Sequence, residues 1–143
     1  MKTSEKGLNL IKKFEGFNNK KYICPAGKPT IGYGHVILPT DNFQEYITEQ
    51  EAEILLEKDI EPREKALNQF LKIQLSQNQF DALMSLIYNI GVENFRKSTI
   101  LMLINHKLFD RIPDQFRCWK YINKVVSQGL SNRREEEIKL WLS

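Results

Sequence analysis

The chain predicts an α+β fold that is mainly helical, and three observations carry that prediction. Apolar residues recur at helical spacing in several separate stretches. Capping boxes at Thr48–Glu51 and Ser76–Gln79 open two of those stretches. A single turn-rich, β-prone segment, residues 20–35, interrupts the helical pattern and is punctuated by Pro25, Gly27, Pro29, Gly32 and Gly34.

The first helix is expected over residues 4–15. Leu8, Ile11 and Phe14, with Leu10 beside them, form its apolar stripe. Ser4 or Thr3 caps its start, and Gly16 suits a left-handed exit. Glu15 therefore closes this helix, where the macrodipole disfavours an ionised carboxylate. Residues 20–35 read as a hairpin or three short strands, and residues 37–47 as a loop. The helix opened by Thr48 carries Ile54, Leu55 and Leu56 and extends toward Phe70, with Pro62 breaking or kinking it near Ile60–Glu61. Ser76 opens a helix, Phe80–Ile90, that is apolar around most of its circumference and stops at Gly91, the pattern of a buried central helix. Ser98 caps a short helix, Thr99–Asn105. A further helix is expected near Asp110–Tyr121 with Phe116 and Trp119 inward, then a loop over Asn123–Ser127, and a last helix over Leu130–Leu142.

Composition narrows the function classes. At 143 residues the chain is long enough for one domain with a real core. No apolar run approaches about 20 residues, so no transmembrane helix or stable membrane insertion is expected, and the N-terminus lacks the apolar run of a secretory signal. A net charge of +3 mildly favours an acidic polymer. No basic stripe is interleaved with aromatics, which argues against nucleic acid as partner. Cys24 and Cys118 lie far apart without metal-ligand spacing, so no metal site is expected and both read as free thiols.

The chemistry-bearing stretch is Glu15–His35, EGFNNKKYICPAGKPTIGYGH. Eight residues separate Glu15 from Cys24 and five separate Cys24 from Thr30, and the run ends in Thr30-Ile31-Gly32-Tyr33-Gly34-His35. A carboxyl at a helix end faces two further polar groups on a small hairpin. That is the pattern of a two-sided catalytic cleft, with a carboxyl on one side and nucleophile-class or base-class side chains on the other. The plainer readings stand beside this one: a solvated helix-end glutamate, a small buried cysteine, and a threonine placed by β-propensity.

This spacing, with the Thr-Ile-Gly-Tyr-Gly-His tail, resembles the phage-type lysozymes, the endolysins of glycoside hydrolase family 24. Gln77–Leu83, Tyr88–Gly91 and Gly129–Glu135 resemble later parts of the same family, so the likeness covers nearly the whole chain. It implies a single lysozyme-like domain, 1–143. Its small β lobe would span about 16–47, and its helical lobe about 70–143 together with helix 4–15, with the active-site cleft between the lobes. The implied activity is hydrolysis of the β-1,4 bond between N-acetylmuramic acid and N-acetylglucosamine in peptidoglycan, lysing the host. The alternatives are a lytic transglycosylase and a non-catalytic wall-binding prophage remnant. Glu15 would be the general acid, Cys24 the water-activating or nucleophilic partner, and Thr30 the hydroxyl that holds the water. Many members carry aspartate where this chain has Cys24.

The resemblance also implies substrate-side roles. Asn89 would face the sugar at the end of the central helix beside Tyr88, though it also suits the helix end. Arg133 would stand beside the catalytic glutamate, where the plain reading is a solvated first turn with Arg134 and Lys139 against Glu135–Glu137. His35 reads first as a scaffold residue of the β lobe and second as a substrate-binding residue of the cleft, and Cys118 as core. No metal or organic cofactor is implied. The partners would be glycan strands of peptidoglycan, and the chain would act as a monomer. It would accumulate in the host cytoplasm and need a holin to reach the wall.

Overall fold

The computed structural model describes residues 1–143. Its elements divide between two compact units, Ile11–Pro62 and a second made of Met1–Leu10 with Arg63–Ser143. Helices α1 (Glu5–Glu15) and α2 (Glu49–Phe70) each contribute to both.

Ser4 begins α1 as expected. Its carbonyl accepts the Leu8 N–H at 2.9 Å and its hydroxyl oxygen accepts the Gly7 N–H at 3.4 Å. The buried Asp81 carboxylate accepts both the Ser4 N–H, at 2.9 Å, and the Ser4 hydroxyl. A side chain at position 7 would have no room, because its Cβ would lie 2.8 Å from the Asp81 carboxyl carbon. At the other end the Gly16 N–H closes on the Lys12 carbonyl at 2.9 Å, and Gly16 leaves the helix at φ 73°.

The smaller unit holds an antiparallel sheet in the order β1 (Asn18–Ile23), β2 (Pro29–Gly32), β3 (His35–Val36). Tyr22 pairs with Thr30 and Ile23 with Pro29, while the register is irregular between Asn18 and Tyr22. Ile31 pairs with His35 across the β2–β3 turn. The loop after β3 returns to the sheet, with the Ile47 N–H donating to the Asn19 carbonyl at 2.8 Å.

Of the break or kink expected at Pro62, the break does not occur: one helix, α2, runs from Glu49 to Phe70. The proline lies on the exposed side, as does Lys58, whose carbonyl loses its donor. That carbonyl is on the side open to solvent, while Ala52, Leu56, Ile60 and Leu67 keep the buried side of the helix continuous.

In the larger unit α3 (Gln77–Ile90) is the buried helix expected, opened by a full capping box at Ser76 and buried from Phe80 to Tyr88. Helix α7 (Gln128–Trp141) packs along it. Between them run α4 (Val92–Arg96), α5 (Thr99–Asn105, capped by Ser98), a 3-10 turn over Phe109–Arg111, and α6 (Ile112–Arg117). The helix expected to reach Tyr121 stops at Arg117. The expected loop over Asn123–Ser127 is in part a hairpin, β4 (Tyr121–Ile122) with β5 (Val125–Val126). Its two turn residues, Asn123 and Lys124, have φ 48° and 66°, the paired left-handed conformations of a tight two-residue turn. Ser127 then caps α7, two residues before the helix was expected. Cys118, expected in the core, is exposed at the end of α6.

Candidate active site

Glu15, Cys24 and Thr30 all belong to the smaller unit. Glu15 ends α1, and its side chain lies half-buried against the β2–β3 turn. That closeness explains Gly34. A Cβ at position 34 would lie 2.5 Å from Glu15 Oε1, and the residue's φ of 74° already favours glycine.

Cys24 follows β1 at the mouth of a tight turn. Its N–H donates to the Lys28 carbonyl at 2.9 Å, and the Gly27 N–H returns to the Cys24 carbonyl at 2.8 Å. This folding back presents backbone donors to the sulfur. The Lys28 N–H lowers the Cys24 thiol below its ordinary value, and burial opposes it. The Thr30 hydroxyl, the Ala26 N–H and the Lys28 charge add to the lowering. Thr30 is buried on β2, where its hydroxyl reaches the Lys28 carbonyl at 3.0 Å as well as the neighbourhood of the thiol. The free thiol at Cys24 is thus tuned toward the thiolate by the turn that holds it.

The sheet is held by His35, which is buried with both ring nitrogens engaged. Nδ1 lies 2.8 Å from Asp59 on α2, and Nε2 lies 2.8 Å from Asp41 in the following loop. The Asp59 hydrogen bond is the main cause that raises His35 above its ordinary value, partly opposed by burial, and Asp41 adds to it. In turn, Asp41 is held below the usual carboxylate range by the Leu38 N–H and then by His35. Beside this clamp the Tyr33 hydroxyl donates to Glu49 at 2.8 Å; burial first, then that bond, push the phenol up to about 12.

The remaining predicted residues sit in the larger unit. Tyr88 is buried beneath the Arg63 guanidinium, 4.8 Å from its ring centre. Asn89 is exposed and lines a cavity of about 450 Å³ with Asn94, Trp119 and Tyr121. Arg133 and Arg134 are not a solvated first turn. Arg133 is 3% exposed, Arg134 0% and Glu137 0%. Glu137 Oε2 accepts the Ser85 hydroxyl at 2.5 Å and Arg134 Nη2 at 3.2 Å. Oε1 stands 2.7 Å from Arg134 Nε, an ion contact at a poor hydrogen-bonding angle. Arg133 donates to the Ser85 carbonyl at 3.0 Å. Burial pushes the Glu137 carboxyl up, against the pull of Arg134 and Arg133.

Three groups escaped the sequence reading. Asp59 lies 24 residues from His35 in sequence, with no local signal linking them. Glu137 was read with its exposed neighbours, although it falls one helical turn from Arg133 and Arg134 on α7. Tyr22 was legible: it stands two residues before Cys24 in the same β-prone run, the spacing at which side chains of a strand share a face.

Known proteins share this architecture. The Phage lysozyme family matches residues 12–137. The endolysin of Acyrthosiphon pisum secondary endosymbiont phage 1 is 39% identical over 147 aligned positions, spanning 100% of this chain and 99% of that protein. The endolysin of Bacillus phage B103 is also 39% identical, and there the chain spans about half of the relative, 55%. Among solved structures, an endolysin from Escherichia coli O157:H7 phage FAHEc1 superposes with a TM-score of 0.90 at 36% identity, covering 100% of this chain and 94% of that one. With the family match extending from α1 into α7 and a full-length structural likeness, the chain belongs to the phage lysozyme family.

Proposed function

We propose that this peptidoglycan-lysing muramidase cleaves its glycan with Glu15 as general acid, Cys24 as the base that activates water, and Thr30 as the hydroxyl that holds that water. The lytic activity follows from the family; the residue roles are this chain's own case. In the proposed step the protonated Glu15 carboxyl gives its proton to the glycosidic oxygen as the bond to the muramic acid C1 breaks. Water adds to C1 from the opposite face, its proton passing to the Cys24 thiolate. The products are a free hydroxyl on the leaving sugar and a new reducing end.

The observation that carries this reading is the turn around Cys24, whose Lys28 N–H and Thr30 hydroxyl both favour the thiolate over the thiol. A thiolate without such donors is a minority species at neutral pH. The Thr30 hydroxyl beside the sulfur supports a role for both groups on one water molecule. Tyr88, Asn89 and Arg133 complete the proposal on the substrate side. Arg133 is buried and held by the Ser85 carbonyl and Glu137 Oε2, which supports a fixed position for its charge. His35 is proposed as a scaffold residue, its two ring nitrogens already committed to carboxylates. The chain is further proposed to act as a monomer on glycan strands after passage through a holin pore. No helix is long and apolar enough to cross a membrane.

Substitution of Cys24 tests the base. Cys24→Asp, which supplies a carboxylate at the same place, is expected to release reducing ends from purified peptidoglycan within about tenfold of the parent. Cys24→Ser is expected to lose at least about a hundredfold, the scale of general base catalysis. Full activity in Cys24→Ser would refute the role.

A further inference from the structure

Tyr22 is the residue of this region that the proposed mechanism leaves unused. It pairs with Thr30 across the β1–β2 ladder and stands two residues before Cys24, which follows β1 directly. Facing residues on paired strands stand about 5 Å apart, and residues two apart on one strand about 7 Å. The phenol is therefore anchored within reach of both the thiol and the threonine. It is half-buried. Its hydroxyl takes part in none of the chain's side-chain hydrogen bonds.

The electrical surroundings agree with this placement. Burial first, then the charges of Glu15 and Cys24, raise the phenol above its ordinary value. A group that feels both charges stands near both, and it remains protonated throughout the range in which a lysozyme works. It is thus a donor without an acceptor, facing the region that Glu15 and Cys24 flank. Solvent reaches it in the free protein, and a bound sugar would displace that solvent. Among the other aromatics of this unit, Tyr33 has its hydroxyl committed to Glu49.

We propose that Tyr22 is a further catalytic residue, its phenol O–H donating a hydrogen bond to an oxygen of the sugar undergoing cleavage. This rests on the hydrolase reading above. The sugar gains positive, oxocarbenium-like charge in the transition state, so the hydrogen bond acts by orientation: it holds C1 in line between the Glu15 carboxyl and the water beside Cys24. Thr30 and Cys24 act on the water, Glu15 on the leaving oxygen, and Tyr22 on the sugar itself.

The test is Tyr22→Phe, which keeps the ring and removes only the hydroxyl. Reducing-end release from purified peptidoglycan is measured across pH, with melting followed by circular dichroism. The expected result is a drop of about tenfold or more in kcat/KM at every pH, an unshifted profile and a melting temperature within a few degrees of the parent. Rates equal to the parent's would overturn the proposal. So would a loss that appears only as a displaced pH limb, because Tyr22 would then act through Glu15 or Cys24 rather than on the sugar. A large fall in melting temperature would make the hydroxyl structural and would likewise overturn it. A parent enzyme that releases no reducing ends would instead bring down the hydrolase reading itself.

Discussion

At the scale of single residues, the candidate site depends on backbone geometry as much as on the groups that carry the chemistry. Gly34 illustrates this. Its left-handed φ and its closeness to the Glu15 carboxyl leave no place for a methyl group. Alanine there strains the backbone by roughly 1–2 kcal/mol. The lighter penalty is steric, since the end of the Glu15 side chain can swing aside. Swinging aside removes the acid from its position, and a displacement of about 1 Å is enough to cost two orders of magnitude in rate. Gly34→Ala is therefore expected to lower the urea unfolding free energy by about 1–2 kcal/mol while cutting reducing-end release by more than tenfold. A variant with parental activity would show that Glu15 does not need its place against the turn. That Glu15, Cys24 and Thr30 belong together in one unit was legible in sequence because three residue types, two spacings and a glycine-rich tail agree. Cys118 was misread because an apolar-looking residue near Phe116 and Trp119 gave no indication that α6 ends at Arg117.

At the scale of elements, His35 joins three of them, since β3 carries the ring, α2 carries Asp59 and the loop after β3 carries Asp41. Both partners accept, so the clamp is complete only when both ring nitrogens carry protons. The folded His35 is raised above its unfolded value near 6.5. Its stabilisation is then fully present below about pH 6.5 and is lost as pH rises through the higher folded value. For Asp41 the sense is opposite: its folded value is depressed, so its contribution is present above the ordinary carboxylate range and disappears as pH falls through the lowered value. The parent's melting temperature is expected to decline as pH rises above about 6.5, and the decline should be absent in His35→Gln. Parallel pH dependence in the two proteins would show that the clamp does not titrate there. This element-scale device was hidden in sequence, because its members are separated by loop and helix. The β4–β5 hairpin was hidden for another reason: its strands have two residues each, too short to show alternation. Pro62 misled because proline's local cost was visible and the exposed side on which it falls was not.

At the scale of the whole molecule, the fold class followed from helical periodicity, two capping boxes and one β-prone interruption, and the observed order of elements keeps that plan. The larger unit adds a buried ionic cluster to its apolar core. Arg133, Arg134 and Glu137 reach Ser85 on α3 and the Trp119 carbonyl ahead of the hairpin, linking the central helix, the last helix and the chain between them. Such a cluster adds little over a well-packed apolar replacement, but removing one member strands the others. Glu137→Ala leaves two buried guanidiniums without their shared carboxylate and is expected to cost about 3–5 kcal/mol. That is a large part of the roughly 5–15 kcal/mol typical of a domain. A urea midpoint unchanged from the parent would contradict that view of the larger unit. The catalytic assignment rests on the smaller unit, where one carboxyl at the end of α1 is given the acid step. The decisive comparison is reducing-end release from purified peptidoglycan by the parent and by Glu15→Gln, with circular dichroism confirming that the variant is folded. Steady release is expected from the parent, and a loss of at least about a hundredfold from the variant. Equal release from both would contradict the assignment of Glu15 as the acid.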